Sequence, residues 1–382
     1  MYESVPQKPH PALPQPAHDE RARQLFAKDF RKYILLDVPR STRQIWDTEV
    51  KPAVVAQRAG APIDHETARE AMWEHGFLRA AMGLQRVSQE LLWNSIVPVV
   101  ERQAQAVNAE VGAAATRGPG SLDLDPSVAV PDYLTAVDIH CMPGNYHTEC
   151  APGDASLGAV FDRGSFLYAL GGAGELNDAT GQLLVAKLRE QFPDLAPRRI
   201  LDLGCTIGHN TLPLCDAYPG AQLHAIDVGA PMLRYAHARA SALGKPVHWH
   251  QRDVRQTRFP DGHFDLVTSS ILFHEVQPDE IGAVFREAWR VLAPGGVMAH
   301  IDIPNYFAYP DPLFVSLVHA DTFHNNEPFW GEMHRRDLVQ LMVDAGFERG
   351  QCFRGVAAMG TFPWAWFGAR KSAAPTRTSA GT

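Results

Sequence analysis

The chain has 382 residues, of which 45% are hydrophobic and 20% are charged, enough for a large core and more length than one ordinary domain needs. Its 35 Lys and Arg against 43 Asp and Glu give a net charge of −8, which argues against a protein that chiefly binds nucleic-acid phosphates. The sequence has no apolar run of about 18 residues, so we predict no membrane-spanning helix. No secretory signal is visible. Five cysteines without CxxC spacing disfavour disulfides or structural zinc. We expect a cytoplasmic protein.

The first half of the chain is predicted to be helical. Residues 1–18 are rich in Pro, His and Gln and predict a disordered arm. Over residues 19–112 apolar residues recur at three- and four-residue intervals, as in helices that bury one face, and Pro98 should divide the longest such run. We assign residues 19–195 to a helical cap that covers the substrate or pairs two subunits.

A different pattern begins near Pro197, where short apolar runs alternate with helical segments. The predicted strands are RRILDLG, QLHAID, VHWHQRD, FDLVTSS and GGVMAHID. Strands this apolar, separated by helices, predict a Rossmann-like α/β fold: a doubly wound, mostly parallel sheet covered on both faces. We assign residues 196–370 to this domain and residues 371–382 to a disordered tail. Such sheets bind ligands at the carboxyl ends of the strands, where the strand order reverses.

Each of the first three predicted strands ends at or near an acidic residue. Asp202 precedes the glycine turn 204–208, and Asp227 stands where a carboxylate can accept both hydroxyls of a ribose. Asp253 could accept an exocyclic adenine amine. Thr206 occupies the position of the second glycine of a G-x-G-x-x-G motif, which disfavours a pyrophosphate. Together these residues indicate a nucleoside ligand without phosphate.

The segments ILDLGCTIGHNT, HAIDVGAPML, HQRDV, FDLVTSSILFHEV and VLAPGGVMAHID resemble the ordered motifs of class I S-adenosylmethionine-dependent methyltransferases, with the DLGCxxG first motif of the small-molecule type. The resemblance covers roughly residues 197–300 and is weaker to about 370. It implies the class I methyltransferase fold and S-adenosylmethionine as cofactor. The cofactor-binding residues that it implies are Asp202, Gly204, Cys205, Thr206 and Gly208 at the methionine portion, Asp227 at the ribose, Val228, Met232, Asp253 and Val254 at the adenine, and Ser269 or Ser270 at the floor.

A methyltransferase needs a general base only if its acceptor must lose a proton. His274 and Glu275, after the fourth predicted strand, are the catalytic candidates, and Asp302 ends the fifth. The alternative for His274 is a structural role at the start of a helix.

Two segments rich in histidine and aromatic residues could line the acceptor pocket, or could be ordinary packed loops. The substrate-binding candidates are His147, Tyr306, His319 and His324. His140, His147, Glu149 and two cysteines of segment 138–150 could gather a metal ion, but their spacing fits no zinc pattern. We therefore expect no metal.

These features predict a methyltransferase that moves a methyl group to a small organic acceptor by in-line displacement, with the acceptor between the helical cap and the α/β domain. The negative net charge favours a small molecule over a nucleic acid, we expect no membrane partner, and the helices could form a homodimer. One alternative is an NAD(P)-dependent oxidoreductase, which the missing glycine spacing disfavours. A non-catalytic S-adenosylmethionine-binding regulator remains open because binding and turnover would use the same residues.

Overall fold

The structure is a computed structural model that describes residues 6–373 except 60, 115, 117, 305–310, 334 and 361. The helices in this part of the chain are α1 (His18–Ile45), α2 (Lys51–Gln57), α3 (His65–Trp73), α4 (Gly76–Asn94), α5 (Val97–Ala114), α6 (Asp132–Thr135), α7 (Ser156–Tyr168), α8 (Ala179–Gln191), α9 (Leu212–Ala217), α10 (Ala230–Ala242), α11 (Ile281–Val291), α12 (Pro312–His324), α13 (Trp330–Met333) and α14 (Leu338–Asp344). The strands are β1 (Gly120–Asp123), β2 (Arg199–Leu203), β3 (Gln222–Asp227), β4 (Val247–Gln251), β5 (Phe264–Ser270), β6 (Leu292–Asp302), β7 (Cys352–Met359) and β8 (Phe362–Arg370).

The strands form one sheet in the order β1-β4-β3-β2-β5-β6-β8-β7. Strands β1 to β6 are parallel, and β8 and β7 add an antiparallel pair at one edge. The chain runs outward from β2 to β4 and then returns to place β5 on the other side of β2. The carboxyl ends of β2 and β5 therefore form the crevice at which doubly wound sheets bind ligands. The predicted α/β class is confirmed.

The five predicted strands correspond to β2 to β6, and most of their residues are buried. In β2, for example, only Arg199 is partly exposed, as expected of a parallel sheet with helices on both sides. The sheet is larger than predicted, however. Strand β1 comes from the region assigned to the helical cap, and Gly120 pairs with Val247 at the edge of β4.

The predicted helical region forms α1 to α8. The long apolar run is divided after Trp73 and after Asn94. Pro98 lies in the first turn of α5 and not in a helix interior. In a first turn the missing N–H of proline breaks no helical hydrogen bond. Asp64 caps α3 by accepting the backbone N–H of Thr67 at 2.8 Å. Among the described helices, none combines the length and hydrophobicity that a membrane crossing requires.

Residues 6–17 differ from the disordered arm that was expected. Ala12 and Leu13 are buried, and Nε2 of His10 lies 2.9 Å from a carboxylate oxygen of Asp162 in α7. The Pro-rich composition that predicts disorder is outweighed here by an apolar contact and a buried polar anchor. At the other end, Lys371 bonds backbone carbonyls, and residues 374–382 of the predicted tail lie outside the described part.

Candidate active site

The turn after β2 takes a backbone conformation that favours glycine. Gly204 and Gly208 have φ of +64° and +81°, and Thr206 between them has φ of +44°, a region that residues with a Cβ rarely adopt. A Cβ on Gly204 would lie 2.6 Å from Cδ1 of Leu272. The turn is therefore pressed against the segment that follows β5, at the reversal of strand order.

Asp227, the last residue of β3, holds this turn in place. One carboxylate oxygen accepts the backbone N–H of Thr206 at 2.9 Å, and the other accepts that of Gly229 at 2.8 Å. Burial raises the pKa of Asp227 to about 6, although these hydrogen bonds favour its charged form. Because a carboxylate has about four acceptor positions, Asp227 retains lone pairs for the hydroxyls of a ribose.

The other two strand-end acids also have protein partners. Asp202 accepts the hydroxyl of Thr211 at 2.6 Å and that of Thr268 at 2.9 Å, and burial raises its pKa to about 6. Asp253 is in a two-oxygen ion pair with Arg255, in which Nη2 lies 2.6 Å from Oδ2. A ligand amine that binds Asp253 must therefore share this carboxylate with Arg255.

A single cavity joins these carboxylates to the helical region. Its volume is about 1030 Å³, which is at the upper end for small-molecule sites and leaves room for a nucleoside and a second molecule. Nine of the twelve predicted cofactor-binding residues line it: Asp202, Gly204, Cys205, Thr206, Asp227, Val228, Asp253, Val254 and Ser270.

The remaining three predicted cofactor residues lie outside the cavity wall. Gly208 shapes the turn and packs against β4. Met232 in α10 is fully buried in the core. Ser269 faces the opposite side of the sheet from Ser270, because successive strand residues alternate, and its hydroxyl lies 2.7 Å from Nδ1 of His300. Of the two serines, Ser270 lines the cavity and Ser269 does not.

His274 lines the same cavity, after β5. Its Nδ1 lies 2.7 Å from Oδ1 of Asp302, the last residue of β6, and both side chains are buried. The other oxygen of Asp302 accepts the backbone N–H groups of Leu272 and Phe273, which fixes the carboxylate. Burial disfavours the charged imidazole, but Asp302 more than offsets it, so the pKa of His274 is raised to about 9.

Glu275, Glu327 and His140 complete the polar end of the cavity. Oε1 of Glu275 accepts the hydroxyl of Tyr146 at 2.8 Å and lies 3.1 Å from Nε2 of His140. Nδ1 of His140 lies 2.7 Å from Oε1 of Glu327. Burial opposes a charge on His140, yet Glu327 and Glu275 together hold its pKa well above the usual value. This end of the cavity is therefore strongly acidic.

The rest of the cavity is mainly apolar. Its wall residues from the helical region and from the segments after β6 include Ile34, Leu35, Val38, Met82, Trp93, Phe314, Leu317, Trp330 and Trp364. Arg31 is a buried cation in this wall: its guanidinium lies 3.4 Å from the centre of the Tyr168 ring and donates to Gln89 at 2.6 Å.

The predicted substrate contacts are not among the described wall residues. His147 points to the carbonyl of Leu134, 3.2 Å away, whereas its neighbour Tyr146 faces the cavity. His324, at the end of α12, packs beside the ring of Trp73. Tyr306 lies outside the described residues, and the side chain of His319 is not described.

Sequence reasoning missed Glu327, Tyr146 and Arg31 as wall residues. His140 was singled out only as a possible metal ligand of its own segment, and the structure instead places it beside Glu275 and Glu327. No short motif links these positions, because they come from separate segments that meet only in the folded chain.

Comparison with known proteins agrees with the architecture. The family model described as "Methyltransferase domain" matches residues 200–296. A demethylmenaquinone methyltransferase of Thermus thermophilus is 36% identical over 136 residues, which are 36% of this chain and 59% of that protein. A malonyl-[acyl-carrier protein] O-methyltransferase of Herminiimonas arsenicoxydans is 30% identical over 183 residues, which are 45% of this chain and 60% of that protein. The α/β part of this chain is a class I methyltransferase domain.

S-adenosylmethionine is the cofactor of this methyltransferase domain, as the sequence motifs predict. The chain spans about three fifths of the length of the two relatives named above. Among solved structures, phosphoethanolamine N-methyltransferase 2 of Haemonchus contortus, in complex with phosphomonomethylethanolamine and S-adenosylhomocysteine, overlaps 55% of this chain and 58% of its own, with 17% identity and a TM-score of 0.43.

Proposed function

We propose that this chain transfers the methyl group of S-adenosylmethionine to a small organic acceptor bound in the same cavity, between the helical region and the sheet. The observation that carries the proposal is the continuity of that cavity: the three strand-end carboxylates, the His274 cluster and the apolar helical wall all border one space. A donor and an acceptor can therefore meet without crossing bulk water, which is what methyl transfer by in-line displacement requires.

The donor residues are the nine that line the cavity at the β2 to β5 ends. Three buried or half-buried carboxylates suit a ligand that carries a sulfonium charge and a ribose diol. Asp227 is proposed to accept the ribose hydroxyls and Asp253 the adenine amine, which it would share with Arg255. The protein chiefly has to align the methyl group with the acceptor atom, because the sulfonium already activates it.

His274 and Glu275 are the proposed catalytic residues. The acceptor would lose its proton to Nε2 of His274 in its neutral form, which is the minor form below the pKa of about 9. Asp302, 2.7 Å from Nδ1, would stabilise the imidazolium that forms. Glu275 would hold the acceptor through its carboxylate, in company with Tyr146. The acceptor class that fits is a molecule with an acidic hydroxyl, amine or thiol at one end and an apolar body that contacts residues such as Val38 and Trp330.

The test is methyl release from labelled donor with a panel of such acceptors, together with calorimetric titration of S-adenosylhomocysteine. Binding with transfer supports the proposal. Binding without transfer to any acceptor supports instead a regulator that only senses S-adenosylmethionine. Absence of binding to folded protein would overturn the donor site itself.

A homodimer through the helical region is a further part of the proposal. Helix α1 exposes Phe26, Tyr33 and Leu36, with exposed fractions of 65%, 50% and 43%, which is unusual for three large apolar side chains on one helix. Light scattering of the full chain should give twice the monomer mass. A charged substitution at Phe26, Phe26→Glu, should then reduce that mass to that of the monomer.

A further inference from the structure

Four potential metal ligands converge at the acidic end of the cavity. They come from three separate segments: His140 from the turn between α6 and α7, His274 and Glu275 from the segment after β5, and Glu327 from the loop after α12. One ligand atom from each lies within 4.8 Å of the others. Two imidazoles and two carboxylates around one point form a donor set that occurs at transition-metal sites.

The distances around Nε2 of His274 suit ligands better than hydrogen bonds. This atom lies 3.9 Å from Oε1 of Glu275 and 3.8 Å from Oε2 of Glu327, too far for a hydrogen bond. Ligand atoms about 2.1 Å from one tetrahedral ion lie roughly 3.4 Å from each other, so small shifts of these side chains would accommodate an ion.

Glu327 supplies an independent observation. Its side chain is 1% exposed, and among the described residues its Oε2 atom has no hydrogen-bond partner. Its other oxygen accepts from Asn325 at 3.0 Å. An unpartnered carboxylate oxygen is costly to bury, and this one is directed at the cluster, where a cation would satisfy it.

The groups behind the ligands are also typical of metal sites. Nδ1 of His274 is bonded to Asp302, which fixes the ring so that Nε2 points at the cluster, as carboxylates commonly do behind metal-bound histidines. Tyr146 orients Glu275.

We propose that His140, His274, Glu275 and Glu327 bind one divalent first-row transition-metal cation. Because the ligands are imidazoles and carboxylates without a thiolate, the site is suited to zinc, manganese or iron(II) rather than to copper(I). This departs from the expectation of no metal, which rested on the ligand spacing within segment 138–150 and on the resemblance to class I methyltransferases. In the fold, only His140 of that segment joins the cluster.

This inference deepens the proposed function and rests on it for its role. A cation here lies in the wall of the proposed acceptor pocket, where it could bind an acceptor oxygen or nitrogen and make its proton more acidic. The new bond joins that atom to the methyl carbon, the S–CH₃ bond breaks with its electron pair on sulfur, and the acceptor proton passes to solvent. His274 then serves as a ligand, and it would be the direct proton acceptor only in metal-free protein.

The test measures metal binding separately from catalysis. Full-length protein without a histidine tag is stripped with a chelator and titrated with Co²⁺, followed by visible absorption and by elemental analysis after gel filtration. The expected result is one Co²⁺ per chain, displaced by Zn²⁺. Titration of S-adenosylhomocysteine on the same samples reports whether the donor site is folded.

The variants should give a graded response. Glu327→Gln, which keeps the shape and the Asn325 hydrogen bond, should weaken Co²⁺ binding by more than about 100-fold, and Asp302→Asn, behind the ligand, by about 10- to 100-fold. His18→Ala is the matched control, because this histidine is fully exposed at the start of α1, and it should bind like the wild type.

Two results would overturn the metal site and leave the methyltransferase proposal standing: no Co²⁺ binding by protein that binds S-adenosylhomocysteine, or Co²⁺ binding that is equal in all variants. Loss of both Co²⁺ and S-adenosylhomocysteine binding in folded wild-type protein would overturn both proposals.

Discussion

The donor side and the acceptor side of the cavity are built differently. The donor side comes from consecutive strand ends between residues 202 and 270, so each of its motifs lies at the end of an apolar strand in the sequence. The acceptor side joins His140, His274 and Glu327 with the walls of α1 and α4, and these segments are adjacent only in the fold. A binding site built from consecutive strands and turns can be recognised as local sequence motifs, whereas a pocket assembled from distant segments cannot.

The largest expected effect is on the acceptor side. His274→Ala should lower kcat by about 100-fold or more, because it removes the proposed proton acceptor or metal ligand. The affinity for S-adenosylhomocysteine should change by less than about threefold, since His274 is not among the proposed donor-binding residues. Steady-state kinetics with saturating donor and calorimetry separate the two quantities.

His248→Ala is the matched control for that variant. His248 lies in β4, bonded to Ser121 of the edge strand and away from the cavity wall, so its loss should leave kcat unchanged. An equal fall of kcat and of donor affinity in His274→Ala would show that the two sides are not separable.

On the donor side, Asp227→Ala should weaken binding of S-adenosylhomocysteine by about 1–3 kcal/mol, roughly 10- to 100-fold, through lost hydrogen bonds to two hydroxyls. The backbone N–H groups of Thr206 and Gly229 would also lose their acceptor. Asp216→Ala, at an exposed carboxylate of α9, controls for loss of charge. Unchanged affinity in Asp227→Ala would remove the ribose assignment.

The same contrast explains what could be predicted from the sequence. Strands β2 to β6 and the residues around Asp227 were identified because apolar runs and acidic strand ends recur locally. Strand β1 was missed because its four residues are exposed or half-buried without alternation, and their partner in β4 is distant along the chain. Residues 6–17 were expected to be disordered because composition does not reveal the buried partner of His10.

Among the site residues, the acceptor side was the less predictable. His274 could be proposed because it follows a strand, but Glu327 and Tyr146 belong to loops without a pattern, and their role depends on how the helices cover the sheet. His147 and His324 were chosen as substrate contacts for their chemistry, and the backbone directs them elsewhere. The cytoplasmic location and the absence of nucleic-acid and membrane partners stay predictions.

The turn that joins the two sides can be tested through Gly204. Gly204→Ala should destabilise the protein by about 1–3 kcal/mol, because φ is +64° and the new Cβ would meet Leu272. Gly220→Ala is the control, at an exposed turn where a Cβ meets no atom within 4 Å. Denaturation by urea measures both, and equal stabilities would show that the turn readily adjusts.

A smaller effect is expected from pH on donor binding. Burial raises the pKa of Asp227 to about 6, with hydrogen bonds from Gly229 and Thr206 opposing and the charge of Glu275 adding to the rise. Protonation removes acceptor capacity for the ribose, so affinity for S-adenosylhomocysteine should fall several-fold, about 3- to 10-fold, between pH 7.5 and pH 5. The pKa of Asp202 is also raised to about 6, so part of this fall in affinity should persist in the Asp227→Asn variant.

Stability should respond to pH in the opposite direction through the same residue. The folded pKa of Asp227 lies above the ordinary value of 3.8, so the folded chain binds a proton more readily than the unfolded chain. The stabilisation from this group is complete below pH 3.8 and is lost as the pH rises through 6. Urea denaturation of wild type and Asp227→Asn at pH 5 and pH 7 isolates this contribution as a difference between the two proteins, and identical pH dependence in both would contradict it.

The smallest effect concerns the arm of residues 6–17, which links the helical region to the donor turn. The carboxylate of Asp162 lies 2.9 Å from Nε2 of His10 in the arm and 3.0 Å from Nε2 of His209 after the turn. It also accepts the hydroxyl of Tyr235 at 3.0 Å. Burial opposes the charge of Asp162, but these hydrogen bonds and Arg239 hold its pKa well below the usual range.

Because hydrogen bonds from Gln7, His209 and Tyr235 remain on Asp162, His10→Ala should cost only about 1 kcal/mol of unfolding free energy. The affinity for S-adenosylhomocysteine should stay within about twofold, since His209 still has its carboxylate partner. His18→Ala, at an exposed position, supplies the reference for both measurements. A large loss of donor affinity in His10→Ala, but not in His18→Ala, would mean that the arm positions the donor turn. The donor side would then depend on distant amino-terminal residues, as the acceptor side does, and would not be encoded by local motifs alone.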